Sequence, residues 1–335
     1  MPARRETPAA RMPDDAPRIA LAAPIDGAGV LILANPGSGQ AVVRADPLPV
    51  IARRLPLARI HELRPGEAPG DVVRAALASA SPPTVLGVLG GDGSVSTMAG
   101  LAREYGLPLF VLPAGTFNHF ARAVGLDDVD AAIDAYQHGR AVRVGVATLT
   151  DGQAVHTVLN TASVGIYPDF IARRERRSGR WGKWLAGVWA AWRVLRDAEP
   201  LVVEIDGRET RVWSVFVGVG RNDPRQVATM QRLAIDDDVL DVRILHARGP
   251  RRHAVASLAF GRRTVALARG LRLMPRGPEL SRRLAASVQI AVHARAEDVP
   301  GYGHDGELEA APAPDDQGRY VLRMTMHPGA LVVVA

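Results

Sequence analysis

Residues 86–126 read LGVLGGDGSVSTMAGLAREYGLPLFVLPAGTFNHFARAVGL, and this stretch decides the fold. It contains two glycine-rich turns, Gly90–Ser94 and Pro113–Asn118, each preceded by an apolar run and followed by a helical pattern. Glycine lets the backbone approach a polyphosphate, and a helix N-terminus offers unpaired N–H groups at a positive dipole end. Asp92 cannot attract phosphate directly, so it indicates a metal bridge or a charge network. The two turns therefore predict that nucleotide phosphates bind here.

The apolar runs around these turns predict a parallel sheet. Residues 29–34, 84–89 and 108–112 are short apolar segments, and helical patterns cover 72–80 and 95–105. Alternation of strand and helix is typical of parallel strands covered by helices. Ligands bind at the carboxyl ends of such strands, which is where the glycine-rich turns fall.

The pattern changes after about residue 140. Valine-rich, alternating segments follow, and Asp206-Gly207 predicts a hairpin turn between two of them. The fold class expected is α/β, with an N-terminal doubly wound parallel-sheet domain and a C-terminal antiparallel β-sandwich domain. The predicted boundaries are a disordered tail at 1–27, a nucleotide-binding domain at 28–140 and a β-rich domain at 141–325.

Composition limits the class of protein. The chain has 335 residues, which suffices for two cores, and it has no cysteine, which excludes disulfides and thiolate metal sites. It has no run of 18 apolar residues, so no spanning helix is predicted. Its net charge is +6, and Lys183 is the only lysine among 41 basic residues. A basic surface suits an anionic membrane or nucleic acid, but no nucleic-acid module is present.

Four motifs resemble those of one known family. GGDGS at 90–94, PAGTFNHFAR at 113–122, NPGSG at 35–39 and DGE at 305–307 are similar to the motifs of the diacylglycerol-kinase catalytic domain. That family contains lipid kinases, including sphingosine and ceramide kinases and bacterial relatives. A GGDG turn alone also occurs in NAD kinases and phosphofructokinases, whereas all four motifs in this order are specific. The resemblance implies ATP, Mg²⁺ and a lipid hydroxyl, and a final strand at 326–335 that returns toward the first domain.

The resemblance also implies which residues contact the nucleotide. In this part of the chain, Gln40 stands where the family usually has a basic residue, and His119 where Asp is more frequent. The implied nucleotide-binding residues are Asn35, Pro36, Gly37, Ser38, Gly39, Gly90, Gly91, Asp92, Gly93, Ser94, Gly115, Thr116, Asn118 and Arg122.

Carboxylates supply the implied catalytic and metal-binding groups. Asp305 and Glu307 are two residues apart, and an extended segment places both on one face. By resemblance Glu307 is the base, with Asp305 and Asp92 as further catalytic residues. The alternative is that Asp305-Gly306 is an ordinary hairpin turn.

The segment 236–241 resembles a family segment that holds a structural divalent cation, which implies Asp237 and Asp241 as metal ligands. Asp238 stands in the place of a glycine, and the alternative is a polar turn before a strand. A further departure is Arg143, which replaces a carboxylate of the family pattern.

A tryptophan-rich segment predicts contact with a membrane surface. Trp181, Trp184 and Trp192 are spaced for one helix face within an arginine-rich stretch, 173–196. Tryptophan favours membrane interfaces and arginine pairs with anionic headgroups; the alternative is a core helix with a basic flank. The expected partners are a lipid substrate and an anionic membrane surface, without nucleic acid, and a homodimer is left open. The expected location is cytoplasmic and peripheral to the membrane.

The expected function is an ATP-dependent lipid kinase. The alternative from another class is a catalytically impaired peripheral membrane protein of the same fold that binds lipid or nucleotide, which the departures at Gln40, Arg143 and Asp238 favour. A soluble NAD kinase is disfavoured by the FNHFAR turn and the tryptophan-rich segment.

Overall fold

The computed structural model describes residues 18–35, 46–165, 199–222, 232–247, 280–294 and 300–335. The chain forms two compact units, of which the first contains residues 1–146, 231–238 and 327–335, and the second contains 147–230 and 239–326. The helices are α1 Leu48–Arg54, α2 Pro69–Leu77, α3 Asp92–Glu104, α4 His119–Ala123 and α5 Val129–Gln137. The strands are β1 Arg18–Ala20, β2 Val30–Ala34, β3 Arg59–Glu62, β4 Val85–Gly90, β5 Leu109–Pro113, β6 Arg140–Thr150, β7 Val155–Val158, β8 Thr161–Gly165, β9 Leu201–Ile205, β10 Arg208–Val219, β11 Leu240–His246, β12 Leu280–Ala285, β13 Ser287–His293, β14 Tyr302–His304, β15 Glu307–Glu309 and β16 Arg319–Val334.

A parallel sheet with the order β3-β2-β4-β5 forms the centre of the first unit. Every residue of β2, β4 and β5 is buried, as expected for parallel strands covered on both faces. Near its end β16 adds a parallel pair to this sheet, Val333 with Leu109. The predicted parallel N-terminal sheet is therefore confirmed.

The end of the predicted disordered tail is ordered. Arg18–Ala20 form β1, which pairs antiparallel with Arg140–Val142 of β6. The N–H of Leu21 continues the pairing by donating to the carbonyl of Gly139 at 2.8 Å. The prediction of disorder is wrong for these residues, because a Pro- and Ala-rich composition does not reveal backbone pairing with a distant strand.

Antiparallel pairs form the sheet of the second unit. They run in the order β14-β8-β10-β9-β13-β16, with β15 pairing with β14, and β11 joining β10 to β12. Their inward side chains make one apolar core, which includes Val215, Val217 and Leu322. The predicted antiparallel C-terminal region is confirmed. None of the helices in the described residues is long and apolar enough to cross a membrane.

Two Asp-Gly pairs make the tight hairpins of this unit. Asp206-Gly207 joins β9 to β10 with φ of 48° and 78°, which confirms the predicted turn. Asp305-Gly306 joins β14 to β15 with φ of 44° and 93°. Positive φ at both central residues matches the right-handed twist of the flanking strands and favours Asp-Gly.

Candidate functional site

The two glycine-rich turns touch each other through their backbones. They follow the neighbouring strands β4 and β5, and the N–H of Ala114 donates to the carbonyl of Gly90 at 3.0 Å. A Cβ atom on Gly115 would lie 2.5 Å from the Cα of Gly91. Glycine is therefore required at position 115 by close approach of two chains.

Asn118 holds the second turn closed. It adopts a left-handed conformation, φ 51° and ψ 47°, and it is buried. Its Oδ1 accepts a hydrogen bond from the N–H of Gly115 at 2.9 Å, and its Nδ2 donates to the Gly115 carbonyl at 3.0 Å. The amide that was predicted to contact the nucleotide is thus used to shape the loop.

Asp92 connects the two turns. It is the first residue of α3, and its two carboxylate oxygens accept hydrogen bonds from the N–H groups of His119 and Phe120, each at 3.2 Å. These N–H groups begin α4, and Asn118 supplies no side-chain cap there. Asp92 thus caps α4, because the neighbouring strands bring the starts of α3 and α4 together.

Asp92→Asn is expected to lower the free energy of unfolding by about 1–2 kcal/mol, because an NH₂ group replaces one of the two oxygens that each accept an N–H group. Urea denaturation followed by circular dichroism measures this. The matched control is Asp128→Asn, since Asp128 caps α5 with a single acceptor, from the N–H of Ala131 at 2.8 Å. Asparagine replaces such a cap within about 0.5 kcal/mol. Equal stability of the two variants would contradict the bridging role of Asp92.

The start of α3 receives no side-chain cap from its N-cap residue, because that residue is Gly91. Beside it, the Nδ2 of Asn35 donates to the Oγ of Ser94 at 3.0 Å, which joins the end of β2 to the first turn of α3. Three predicted elements therefore come together: Asn35, the Gly90–Ser94 turn and the Gly115 turn.

The remaining residues of the second turn face outward. Thr116 and Arg122 are exposed. The rings of Phe117 and His119 stack, with centroids 5.5 Å apart and planes 4° apart. The family departure at His119 is thus part of an aromatic pair.

Several predicted site residues lie outside the described residues. One group is the rest of the NPGSG motif together with Gln40, namely Pro36, Gly37, Ser38, Gly39 and Gln40. The other group is the predicted membrane contacts, Trp181, Trp184 and Trp192.

In the second unit, Asp305 is an anchor for the backbone. Its side chain is buried, and its oxygens accept hydrogen bonds from the N–H groups of Leu159, Asn160 and Thr161 at 2.7, 2.7 and 2.9 Å. This geometry fixes the β14–β15 hairpin to the link between β7 and β8. A direct catalytic role for Asp305 does not fit this arrangement.

Glu307 lies on the other side of that turn. It is exposed on β15, whereas Asp305 is buried. The prediction that an extended segment places both carboxylates on one face is wrong, because Asp305 has a positive φ and belongs to the turn. The alternative of a hairpin turn is the correct one for Asp305-Gly306, and it leaves Glu307 as the accessible carboxylate of the motif.

Asp305→Asn is expected to lower the free energy of unfolding by about 2–3 kcal/mol, because an amide cannot accept all three N–H bonds that the buried carboxylate accepts. The control is Asp206→Asn in the other Asp-Gly hairpin. Asp206 has the same left-handed conformation but is exposed and pairs with Arg283 at the surface, so its replacement costs less than about 1 kcal/mol. Chemical denaturation compares them, and similar costs would contradict the anchoring role.

The carboxylate of Asp241, a predicted metal ligand, pairs with two arginine side chains. It is fully buried, Arg282 donates to both its oxygens at 2.7 and 2.8 Å, and Arg243 donates at 2.7 Å. Burial acts to raise the pKa of Asp241, but the hydrogen bonds from these guanidinium groups outweigh it and hold the pKa below its ordinary value. Two cations already neutralise this carboxylate, so a divalent cation does not fit. Asp237 belongs to the other unit.

A polar cluster that the sequence interpretation missed lies beside the β14–β15 hairpin. His156, His304 and Glu309 each present one ligand atom, and these atoms all lie within 4.8 Å of one another. The rings of the two histidines have centroids 4.4 Å apart. Burial, and then the nearby His304, lower the pKa of His156. Hairpin pairing could have suggested His304 and Glu309, but His156 comes from β7, far away in the sequence.

Asn160 is a second polar residue that the sequence did not mark for binding. It is 1% exposed, and within the described ranges neither atom of its amide has a hydrogen-bond partner. Buried amides are nearly always paired in folded proteins. This group is therefore available to a polar ligand or a water.

The chain is similar to known proteins in sequence and in fold. Residues 29–149 match the family model of the diacylglycerol kinase catalytic domain. This part of the chain, which carries both glycine-rich turns, is therefore similar to the diacylglycerol kinase catalytic domain.

Solved structures with the same fold cover nearly the whole chain. One, from Bacillus anthracis str. Sterne and provisionally described as a diacylglycerol kinase, is 20% identical with a TM-score of 0.61, covering 93% of this chain and 97% of that chain. A second, with the same description and source, is 21% identical with a TM-score of 0.60, covering 91% and 96%. A third, described as a diacylglycerol kinase from that organism, is 18% identical with a TM-score of 0.54, covering 91% and 96%. At these identities the likeness establishes the fold.

Proposed function

We propose that this protein is an ATP-dependent lipid kinase that phosphorylates a hydroxyl group of a lipid such as diacylglycerol. The observation that carries the proposal is the contact between the Gly91 and Gly115 backbones, with Asp92 bridging the two turns. This arrangement leaves glycine backbone at the start of α3, whose N-cap residue is Gly91. Phosphate binds where a helix N-terminus and glycine backbone come together.

In phosphoryl transfer, the protein has to position the lipid hydroxyl and ATP and to neutralise the negative charge of the phosphates. A lipid hydroxyl would attack the γ-phosphorus of ATP, its proton would pass to Glu307, and ADP would leave. Glu307 suits a proton acceptor because it is exposed, while Asp305 holds the hairpin that carries it. Arg122 is exposed in α4, which follows the second turn directly, and its guanidinium group is suited to binding phosphate.

Magnesium ions, which the resemblance implies, would reduce the negative charge of the phosphates. Of the predicted carboxylates, Asp92 suits this task, since each of its oxygens accepts one N–H bond and a carboxylate has about four acceptor positions. Asp241 does not fit such an ion.

A lipid substrate also needs an apolar surface. In the second unit, the gap lined by Val164, Val215 and Leu322 has a volume of only about 10 Å³, so it belongs to the apolar core and carries no argument for a lipid. Contact of the tryptophan-rich segment with an anionic, cytoplasm-facing membrane is part of this proposal.

The test is an assay of phosphate transfer. Purified protein is incubated with radiolabelled ATP, Mg²⁺ and mixed micelles that contain diacylglycerol, ceramide or extracted bacterial lipids. We expect a labelled lipid with one of them, and mass spectrometry identifies it. A folded protein that labels no lipid but phosphorylates NAD would contradict the proposal.

A second candidate is a protein of this fold that binds lipid or nucleotide without turnover. The ion pairs of Asp241 with Arg243 and Arg282 favour this second candidate, because they stand where a metal site was predicted. Arg143 also favours it, since this exposed arginine of β6 replaces a carboxylate of the family pattern. ATP binding in equilibrium dialysis, without labelled product from any lipid tested, would support this candidate over the kinase.

A further inference from the structure

We infer that His156, His304 and Glu309 form a binding site for a divalent transition-metal ion, with Zn²⁺ as the ion that fits best. All three residues belong to the second unit. His304 and Glu309 flank the DGE motif at 305–307, but none of the three proposed ligands is a residue of that motif or of the glycine-rich turns. The inference does not depend on the proposed kinase function.

The ligand types favour zinc. Two imidazoles and one carboxylate are a frequent set of three protein ligands for Zn²⁺, with a water in the fourth position. Magnesium and calcium prefer oxygen ligands, whereas imidazole suits zinc and its neighbours in the first transition row. The chain has no cysteine, so no thiolate site competes for the ion.

The distances are those of a site that closes around an ion. In a tetrahedral site with bonds of about 2 Å, ligand atoms are separated by about 3.3 Å. The three atoms here all lie within 4.8 Å of one another, so no separation has to shorten by more than about 1.5 Å. Rotation of side-chain torsions covers such a movement.

The partners of His156 prepare it for coordination. The hydroxyl of Tyr302 donates its proton to Asp151 at 2.9 Å and contacts the Nε2 of His156 at 3.2 Å. Because that proton is already donated, Tyr302 accepts from His156, and Nε2 carries the imidazole proton. The Nδ1 atom of His156 then has a free lone pair. A carboxylate relay behind a ligating histidine is usual at metal sites, where it fixes the tautomer.

His304 already has one pair of ligand atoms at the required separation. It is 5% exposed, and its Nε2 lies 3.3 Å from a carboxylate oxygen of Glu309. This is about the separation of two ligand atoms in a tetrahedral zinc site. The Nε2 atom of His304 is therefore the nitrogen that would bind the ion together with Glu309.

The strand register shows what the ion would hold. His304 lies opposite Glu307, and Tyr302 opposite Glu309, so these four side chains share one face of the β14–β15 hairpin. His156 is in β7. A bound ion would therefore fasten the hairpin to β7 on both sides of Glu307.

The experiment uses the full-length chain without a histidine tag. After zinc loading and dialysis, elemental analysis should give a single zinc ion per chain, and zinc should raise the melting temperature, whereas magnesium should do neither. His304→Gln, His156→Gln and Glu309→Gln should each lose stoichiometric zinc. The control, His138→Gln, alters an exposed histidine of the first unit and should keep it.

A further variant tests the relay. Tyr302→Phe should weaken zinc binding roughly 10–100-fold, as the loss of an outer partner does. A wild-type protein that binds no zinc, or folded ligand variants that bind it as the wild type does, would overturn the inference. X-ray absorption of the zinc-loaded wild type gives a check without mutation: it should show imidazole scattering, and its absence would also overturn the inference.

Discussion

Glu307→Gln is expected to lower kcat for lipid phosphorylation by roughly 10²–10⁴-fold, the usual contribution of a general base. Glutamine has nearly the same shape but cannot accept the proton of the attacking hydroxyl. Since Glu307 is exposed on β15, its replacement should leave the melting temperature unchanged. The affinity for ATP should change little, because the nucleotide motifs lie in other parts of the chain.

The matched control is Glu209→Gln. Glu209 is also exposed and lies in β10, directly after the other Asp-Gly hairpin, where it is the second residue beyond Gly207. Its replacement should leave kcat unchanged. The measurement is steady-state kinetics with the lipid that the labelling assay identifies. If Glu307→Gln weakens ATP binding as much as it lowers the rate, Glu307 belongs to nucleotide binding, and its assignment as the base is wrong.

Gly115→Ala is expected to abolish measurable ATP binding and to lower the free energy of unfolding by about 1–3 kcal/mol, the usual cost of overpacking. The added methyl would lie 2.5 Å from the Cα of Gly91 and 2.9 Å from the Oδ1 of Asn118. The two turns would have to separate, and the bond from the N–H of Gly115 to Asn118 would be distorted. Equilibrium dialysis with labelled ATP and urea denaturation measure the two effects.

Gly70→Ala is the control for this substitution. Gly70 lies in α2 of the same unit, and a methyl there would meet only Leu101, at 3.7 Å. Alanine is the better helix former, so this variant should be at least as stable as the wild type and bind ATP normally. Normal ATP binding by Gly115→Ala would contradict the phosphate site, whereas a loss of stability alone would confirm only the close packing of the turns.

The local sequence determined the architecture because its signals are short in range. Apolar runs of five or six residues before glycine-rich turns predicted β2, β4 and β5 and the parallel sheet. Asp206-Gly207 predicted its hairpin, because few residue pairs tolerate two positive φ angles. The sequence also placed Asn35 and the glycines of the two turns in one site, because the carboxyl ends of parallel strands lie at one edge of a sheet.

Only the tertiary structure decided what the carboxylates do. Asp92 caps a helix that begins 27 residues later, and Asp305 binds backbone N–H groups 144 to 146 residues earlier. Asp241 meets Arg282, 41 residues away, and His156 meets His304 through a strand that no local pattern connects with the hairpin. The role of a carboxylate depends on the hydrogen-bond donors that surround it, and here those donors come from distant parts of the chain. The sequence motif alone is therefore compatible with a base, a metal ligand or a backbone anchor, and only the folded structure distinguishes these roles.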